Sequence, residues 1–364
     1  MLAIKTPQNY LNQDGVTEKV GQFIAPLAQK VLIVTSPRAW QSVGVSVITS
    51  LQRHHISFHI SYLPGDCTRT AIDALVVQAQ QLGSELILGV GGGRVLDSAK
   101  AVGETLGQLP VITLPTIAAT CAAWSPISVI YDEAGAHIGP LSLTRLPVWV
   151  LVDSQTIART APRYLNAGIV DALAKWYEFL PYLRKGDDGL ALILKSQVAK
   201  QALDTFNTYG QQAIAANQRQ EVSVALRKVI DAVIALAGLA NSMADDIPRI
   251  GIAHAIHNSM THLPELHHWL HGEKVGFGLV VQSFIEHEQE ADRDELLSLL
   301  PRFGCPLTLE DLGLKHNDEQ VKKIAKGVVI APHIAARLPF SLAWERIEQA
   351  LLSTQNLHLE APYH

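Results

Sequence analysis

Along the first 150 residues, short apolar runs alternate with stretches of helical spacing. Lys30–Thr35 (KVLIVT), Ile56–Tyr62, Leu86–Val90 (LILGV), Val111–Leu114 and Trp149–Asp153 are β-branched runs of four to seven residues. Runs of that length without polar alternation are buried parallel strands. Between them, 43–54, 68–83 and 97–106 repeat apolar residues at the 3.6 period, and turn residues close each piece: Ser36-Pro37-Arg38, Pro64-Gly65-Asp66, Gly91-Gly92-Gly93, Gly107 and Pro115-Thr116. Val129–Tyr131 leads into Asp132-Glu133-Ala134-Gly135, a hairpin turn. Such alternation implies a parallel sheet with helices on both faces. From about Thr160 the strand signals vanish. Helical patterns fill 165–183, 187–217, 220–244, 250–262, 272–288, 293–303, 318–335 and 342–352, and Pro162 suits a first helical turn. The expected organisation is α/β plus all-α: an α/β domain over 1–160 and a helical domain over 161–364.

Three stretches carry candidate chemistry. Gly89 to Asp97 (GVGGGRVLD) joins a strand to a helix. Glycines let a backbone approach a phosphate, and a helix N-terminus supplies free amides. The loop matches neither GxGxxG nor a Walker pattern, and a GGG turn by itself is also a plain strand–helix turn. Asp97 either caps the helix or holds a cofactor hydroxyl. Pro115 to Tyr131 (PTIAATCAAWSPISVIY) follows a parallel strand at its carboxyl end, where α/β proteins bind ligands; its hydroxyls are hydrogen-bond donors for a ligand or for the loop itself. Gly251 to Gly278 holds six of the fifteen histidines. His254 and His271 flank a polar insert, each with an apolar helical run, which points to metal or proton chemistry. His262, His267 and His268 read as a solvated connecting loop. In Leu165 to Glu178 (LNAGIVDALAKWYE), Asp171 has apolar neighbours. A buried carboxylate needs a partner. Here that is Lys175 four residues on, or a metal, since one Asp and two His leave coordination positions open.

Composition narrows the class. The net charge of −5 gives no electrostatic footprint for nucleic acid or an anionic membrane. No stretch is apolar enough for a transmembrane helix, and the N-terminus lacks a signal core. Three scattered cysteines, Cys67, Cys121 and Cys305, make neither a disulfide framework nor a CxxC site. A cytoplasmic protein is expected.

GVGGGRVLDSAKAV, PTIAATCAAWSPISVIY, and AGIVDALAKWYE with AHAIHN and HGEKVGFG together resemble the iron-containing (group III) alcohol dehydrogenase superfamily and its glycerol dehydrogenase branch, with motif order and spacing agreeing to about residue 310. The resemblance implies a Rossmann-like nucleotide-binding domain, a helical metal-binding domain (the dehydroquinate synthase-like fold), a cleft between them, and a homo-oligomer. It implies one divalent metal, zinc or iron, on Asp171, His254 and His271, with His257 nearby as a proton relay. It implies NADP or NAD held by Gly92, Gly93, Arg94, Val95, Asp97, Thr116, Thr120, Ser125, Ile127 and Tyr131. Two departures bear on specificity. Cys121 stands where the glycerol dehydrogenases have the aspartate that contacts polyol hydroxyls, with Trp124 adding bulk beside it. The TCAAW version resembles a hydroxycarboxylate dehydrogenase branch, so a 2-hydroxy acid is the first expectation and a polyol the alternative. Ser36, followed by Pro37 and Arg38, stands where the family has a ribose-binding aspartate, which favours a 2′-phosphate and NADP(H). A dehydroquinate synthase-type lyase shares the architecture, but that family carries a glutamate at the Asp171 position and phosphate-binding basic residues absent here.

Overall fold

A computed structural model describes residues 1–357 apart from 108, 288, 316 and 317. Beyond a two-residue strand at Ala3–Ile4, the described N-terminal residues form β1 (Tyr10–Asn12), β2 (Lys30–Thr35), β3 (Ser57–Tyr62), β4 (Leu86–Gly91), β5 (Val111–Pro115), β6 (Ile127–Tyr131), β7 (His137–Ser142) and β8 (Trp149–Val152). Six of these form one all-parallel sheet in the order β1-β8-β5-β4-β2-β3. Helices α1 (Pro37–Arg53), α2 (Arg69–Leu82) and α3 (Gly93–Thr105) connect its strands. The central strands are largely apolar because they are buried on both faces, with Thr35 and Thr113 the buried polar exceptions. One face packs Val31, Ile33 and Leu88 with Val43, Val47 and Leu51 of α1; the other packs Leu32, Val34 and Ile87 with Ile72, Leu75 and Ala99 of α2 and α3. The β6–β7 hairpin turns at Asp132 to Gly135 as expected.

The C-terminal part is helical, with α4 (Pro162–Arg184), α5 (Leu190–Gln218), α6 (Val224–Asp231), α7 (Ile252–Met260), α8 (His271–Glu286), α9 (Asp318–Gly327) and α10 (Trp344–Ser353) as its main pieces. The 23-residue α4 is its axis, packed by α5 on one side and by α8, itself against α7, on another. The starts of α7 and α8 lie against α4 at Glu178 and Ala167, and these three helices carry Asp171, His254 and His271.

Three expectations need correction, and one strand is not read from the sequence. The helix read over 220–244 is broken: α6 passes into a π turn at 232–236 and a short helix at 237–242, and Met243–Ala244 pairs antiparallel with Ala3–Ile4. The π turn runs through AVIAL, wholly apolar, where periodicity carries no register information. The run over 318–335 stops at Gly327 and resumes at Pro332. The run expected to 288 ends, among the described residues, at Glu286; residue 288 itself lies outside them. The edge strand β1 is three residues long and half-buried, with no alternation for sequence to reveal.

Candidate active site

Asp171, Lys175 and Glu178 are spaced four and three apart on α4, one stripe of the helix, and all three are buried. Glu178 reaches the start of α7, where its carboxylate accepts the His254 main-chain N–H at 2.9 Å and faces His254 Nδ1 at 2.9 and 2.8 Å. α7 has no side-chain cap of its own, so Glu178 serves its free amides and its dipole. Residue 251 must be glycine for this approach, since a Cβ there would lie 2.3 Å from Glu178 Oε1. With Nδ1 bonded to Glu178, His254 presents Nε2 inward. His271 is the first residue of α8. Its neighbour Gly272 lets α8 touch α4 backbone to backbone, because a Cβ there would stand 1.8 Å from the Ala167 carbonyl oxygen. Arg163 of α4 bonds Glu273 at 2.5 and 2.7 Å, and Glu273 accepts the Leu270 N–H at 2.7 Å, clamping the same end.

These contacts bring Nε2 of His254 and Nε2 of His271 to 3.2 and 3.1 Å from a single oxygen, Asp171 Oδ1. One donor atom from each residue lies within 4.8 Å of the other two. Burial pushes the Asp171 carboxyl up, but the Lys175 ammonium, His271 and the imidazole hydrogen bonds outweigh it and hold the group well below the usual range. Burial lowers His254, yet the Glu178 and Asp171 carboxylates outweigh that and raise it to about 9. His271 is lowered, burial together with the His254 and Lys175 charges exceeding the pull of Asp171. The His257 ring stands edge-on to His271, 4.2 Å between centroids, with Nδ1 3.0 Å from Asn258 Oδ1. Burial and the charges of His271, Lys274 and His254 hold it well below its ordinary value, so it is neutral.

The glycine loop supplies the other end. β4 runs into Gly92, the N-cap of α3, and no side chain accepts from the first α3 amides. α1 and α2 differ: Ser36 accepts from Ala39 N at 3.4 Å and Thr68 from Ala71 N at 3.1 Å. Uncapped amides on half-exposed Gly93 and exposed Arg94 are free for an anion. The segment from Thr116 to Ser125 links the two ends. Thr116 N donates to Gly91 O at 3.0 Å, Thr120 Oγ1 sits 3.4 Å from where a Gly93 Cβ would be, and the Ala118 carbonyl presses on Gly168 of α4. Cys121 then lies in the field of Lys175 and Asp171. Two cavities, of 370 and 290 Å³, are lined by the far halves of α4 and α8 around Arg184 and Glu286 and share no residue with this group.

The matching family model is "Iron-containing alcohol dehydrogenase", over residues 7–154. A glycerol dehydrogenase of Citrobacter freundii is 32% identical over 359 residues, 97% of each chain. The chain belongs to the iron-containing alcohol dehydrogenase family. Hydroxycarboxylate dehydrogenase A of Escherichia coli K12 is 33% identical over 295 residues, 80% of each chain. The crystal structure of a probable glycerol dehydrogenase from Sinorhizobium meliloti 1021 superimposes with a TM-score of 0.87 at 27% identity, covering 97% of this chain and 98% of that one. These relatives make the protein an oxidoreductase of the alcohol dehydrogenase type.

The residues singled out for this alcohol dehydrogenase relative fall as follows. Asp171, His254 and His271 converge, and His257 abuts them. Asp97 does not cap a helix: α3 begins four residues earlier, and the buried Asp97 pairs with Lys100 at 3.0 Å and accepts from Val129 N at 3.2 Å. Lys100 also bonds the carbonyls of Ser125 and Ile127, at 3.0 and 2.6 Å, fixing that segment against α3. Arg94 pairs with Asp66 at 3.0 Å beside the loop, and the buried Val95 packs beneath Gly91. Tyr131 follows on β6 through a bridge to Thr68. Ser36 is the α1 cap, and exposed Arg38 donates to Tyr164 at 3.1 Å. Cys121 is buried with Asn241 Nδ2 3.5 Å from its sulfur. Trp124 is half-buried, its ring 5.7 Å from that of Tyr10 and its N–H on Ser242 Oγ at 2.9 Å. His262 and His268 are exposed, but His267 is not a solvated loop residue: it is half-buried, with Nε2 2.9 Å from the Thr261 carbonyl. Sequence reasoning missed Glu178. Its signal is present, an acid two turns from Asp171 in the same apolar stripe, but the partner lies 76 residues away. Among the described residues no helix is long and apolar enough to cross a membrane.

Proposed function

We propose that this protein transfers a hydride between NAD(P)(H) and a small alcohol or carbonyl compound at a divalent metal held by Asp171, His254 and His271. The observation that carries this reading is the convergence of one carboxylate oxygen and two imidazole Nε2 atoms, reached from three helices. The donor set suits zinc or iron(II) and leaves coordination positions open. The dinucleotide reading rests on the uncapped α3 amides beside Gly92 and Gly93. When bound, the metal supplies Lewis acidity to the substrate oxygen and the nicotinamide supplies or accepts the hydride. The chain's own part is positional. Glu178 fixes the His254 tautomer, Gly272 seats His271 against α4, and the Thr116–Ser125 segment ties the loop under the dinucleotide to the metal group. Neutral His257, against His271, is the proposed proton carrier. The cleft lies between a nucleotide-binding part, 1–160, and a helical part, 161–364.

The substrate on this reading bears a second oxygen next to the reacting carbon. The glycerol dehydrogenase relatives support a polyol. Cys121 favours a 2-hydroxy acid, since a thiol takes no charge-assisted hydrogen bonds from a diol, and the hydroxycarboxylate dehydrogenase relative agrees with it. Ser36 and Arg38 support acceptance of NADP(H), with exposed Arg38 available to a 2′-phosphate. Metal analysis of the purified protein, combined with nicotinamide absorbance turnover on diols, hydroxyketones and 2-oxo acids with both cofactors, tests the reading. Stoichiometric metal and turnover are expected; a metal-free protein inert on all of them contradicts it.

A further inference from the structure

Three lysines are buried beside the site, Lys100 at 2%, Lys175 at 4% and Lys274 at 6% exposure. Lys274 donates to the Leu266 carbonyl at 3.5 Å, and the ammonium groups of Lys100 and Lys175, which flank the Cys121 segment, are used differently. An ammonium has three donors. Lys100 Nζ donates to the carbonyls of Ser125 and Ile127 and forms a close ion pair with Asp97 Oδ1 at 3.0 Å. Lys175 Nζ makes one hydrogen bond, to the Asp171 carbonyl at 3.2 Å, while Asp171 Oδ2 stands off at 3.6 Å. Beyond Asp171 this ammonium has no hydrogen-bond or ion-pair partner among the described residues. A buried ammonium left in that state is costly, and the cost is offset only when another group meets it.

What it faces is informative. Asp171 turns Oδ1 to the two histidines and Oδ2 to Lys175, so the ammonium lies across the carboxylate from the metal group. Of the charges around the buried Cys121, Lys175 acts on its thiol most strongly. The position where the glycerol dehydrogenase pattern has an aspartate is thus a neutral thiol beside a lysine. With a divalent cation in place, Lys175 and the cation bring three positive charges, and Asp171 and Glu178 two negative ones. A carboxylate at position 121 would cancel the surplus; Cys121 leaves it for the substrate. We propose that Lys175 binds the carboxylate of the substrate and, with Cys121, sets the pocket for 2-hydroxy and 2-oxo acids over neutral diols and ketones. This rests on the dehydrogenase reading of the same site.

The test compares pyruvate with hydroxyacetone, which differ by a carboxylate against a hydroxymethyl group, on the metal-loaded wild type, Lys175→Met, Lys175→Arg and Cys121→Asp. Calorimetric binding of oxamate, an unreactive pyruvate isostere, gives a readout independent of turnover. Wild type is expected to prefer pyruvate. Lys175→Met is expected to lower kcat/KM for pyruvate by about 100-fold, chiefly through KM, and to weaken oxamate to match. Compared at equal metal occupancy, its loss on hydroxyacetone should be at least about tenfold smaller than its loss on pyruvate, a split that a residue serving only as the Asp171 counter-ion would not give. Lys175→Arg should restore part of the pyruvate activity, and Cys121→Asp should move preference towards hydroxyacetone. Equal losses on both substrates, oxamate binding unchanged in Lys175→Met, or a wild type that prefers hydroxyacetone and ignores oxamate overturns the assignment while leaving the dehydrogenase reading intact. A wild type without metal that turns over neither compound overturns both.

Discussion

The two ends of the site are built from different material. At the start of α3 the recognising groups are main-chain amides, left free because Gly92 offers no capping oxygen, whereas α1 and α2 are closed by Ser36 and Thr68. At the start of α7 the amides are closed from outside, by Glu178 of α4, and the working groups are side chains from three helices. One helix N-terminus is uncapped, which is what the proposed dinucleotide site requires; the other already has a carboxylate, which also contacts the His254 ring. The difference teaches that a helix start is a binding site only where the protein withholds the cap.

Removing a donor atom at the side-chain end should have the largest effect. Asp171→Ala and His271→Ala are each expected to lose bound metal and about 1,000-fold or more in kcat, read by metal analysis and turnover; full activity in both would refute the site. Next, Gly92→Asp makes α3 resemble α1 and α2. The new carboxylate should cap the helix, raise KM for NAD(P)H by about 50-fold or more through repulsion of the pyrophosphate, and leave metal content unchanged. An unchanged KM would show that the open cap holds nothing. Glu178→Gln keeps the shape but weakens the grip on His254, and metal affinity in a chelator competition should fall about 10- to 100-fold. An unaffected metal affinity would break the contrast between the two helix starts.

The pH behaviour of the metal-stripped protein follows from His254. Its folded value, about 9, lies above its ordinary 6.5, so its stabilisation is complete below 6.5 and is lost as pH rises through 9. The Tm of chelated protein should fall across that window, by an amount equivalent to about 3 kcal/mol, and the fall should shrink in Glu178→Gln, where only Asp171 still raises His254. Metal binding below pH 9 should release a proton. The smallest effect is expected at the adenosine end, where Arg38→Ala should raise KM for NADPH about three- to tenfold and leave NADH unchanged; a strong NADH preference of the wild type would contradict the NADP(H) reading.

How legible these features were in sequence tracks the range of the interactions that make them. The parallel strands were readable because burial on both faces writes an unbroken apolar run, as in KVLIVT and LILGV. The glycine loop was readable as backbone chemistry, but the start of α3 was misplaced at Asp97 because glycines hide a helix start. Asp171, His254 and His271 stood out by residue type. Their relation to Glu178 did not, because a carboxylate on one helix and an imidazole 76 residues on meet only when α4 and α7 pack. Lys175 was visible only as a routine partner of Asp171, and the lack of a further partner for its ammonium among the described residues is a property of the packed site.

Anomalous diffraction from crystals of the protein purified with its own metal, recorded on both sides of the zinc and iron absorption edges, tests the central claim most directly. The account requires one strong peak about 2.0 to 2.2 Å from an Asp171 carboxylate oxygen and from Nε2 of His254 and His271, with His254 Nδ1 still on Glu178. A peak ligated by other residues, or full activity from crystals with no peak there, would contradict it.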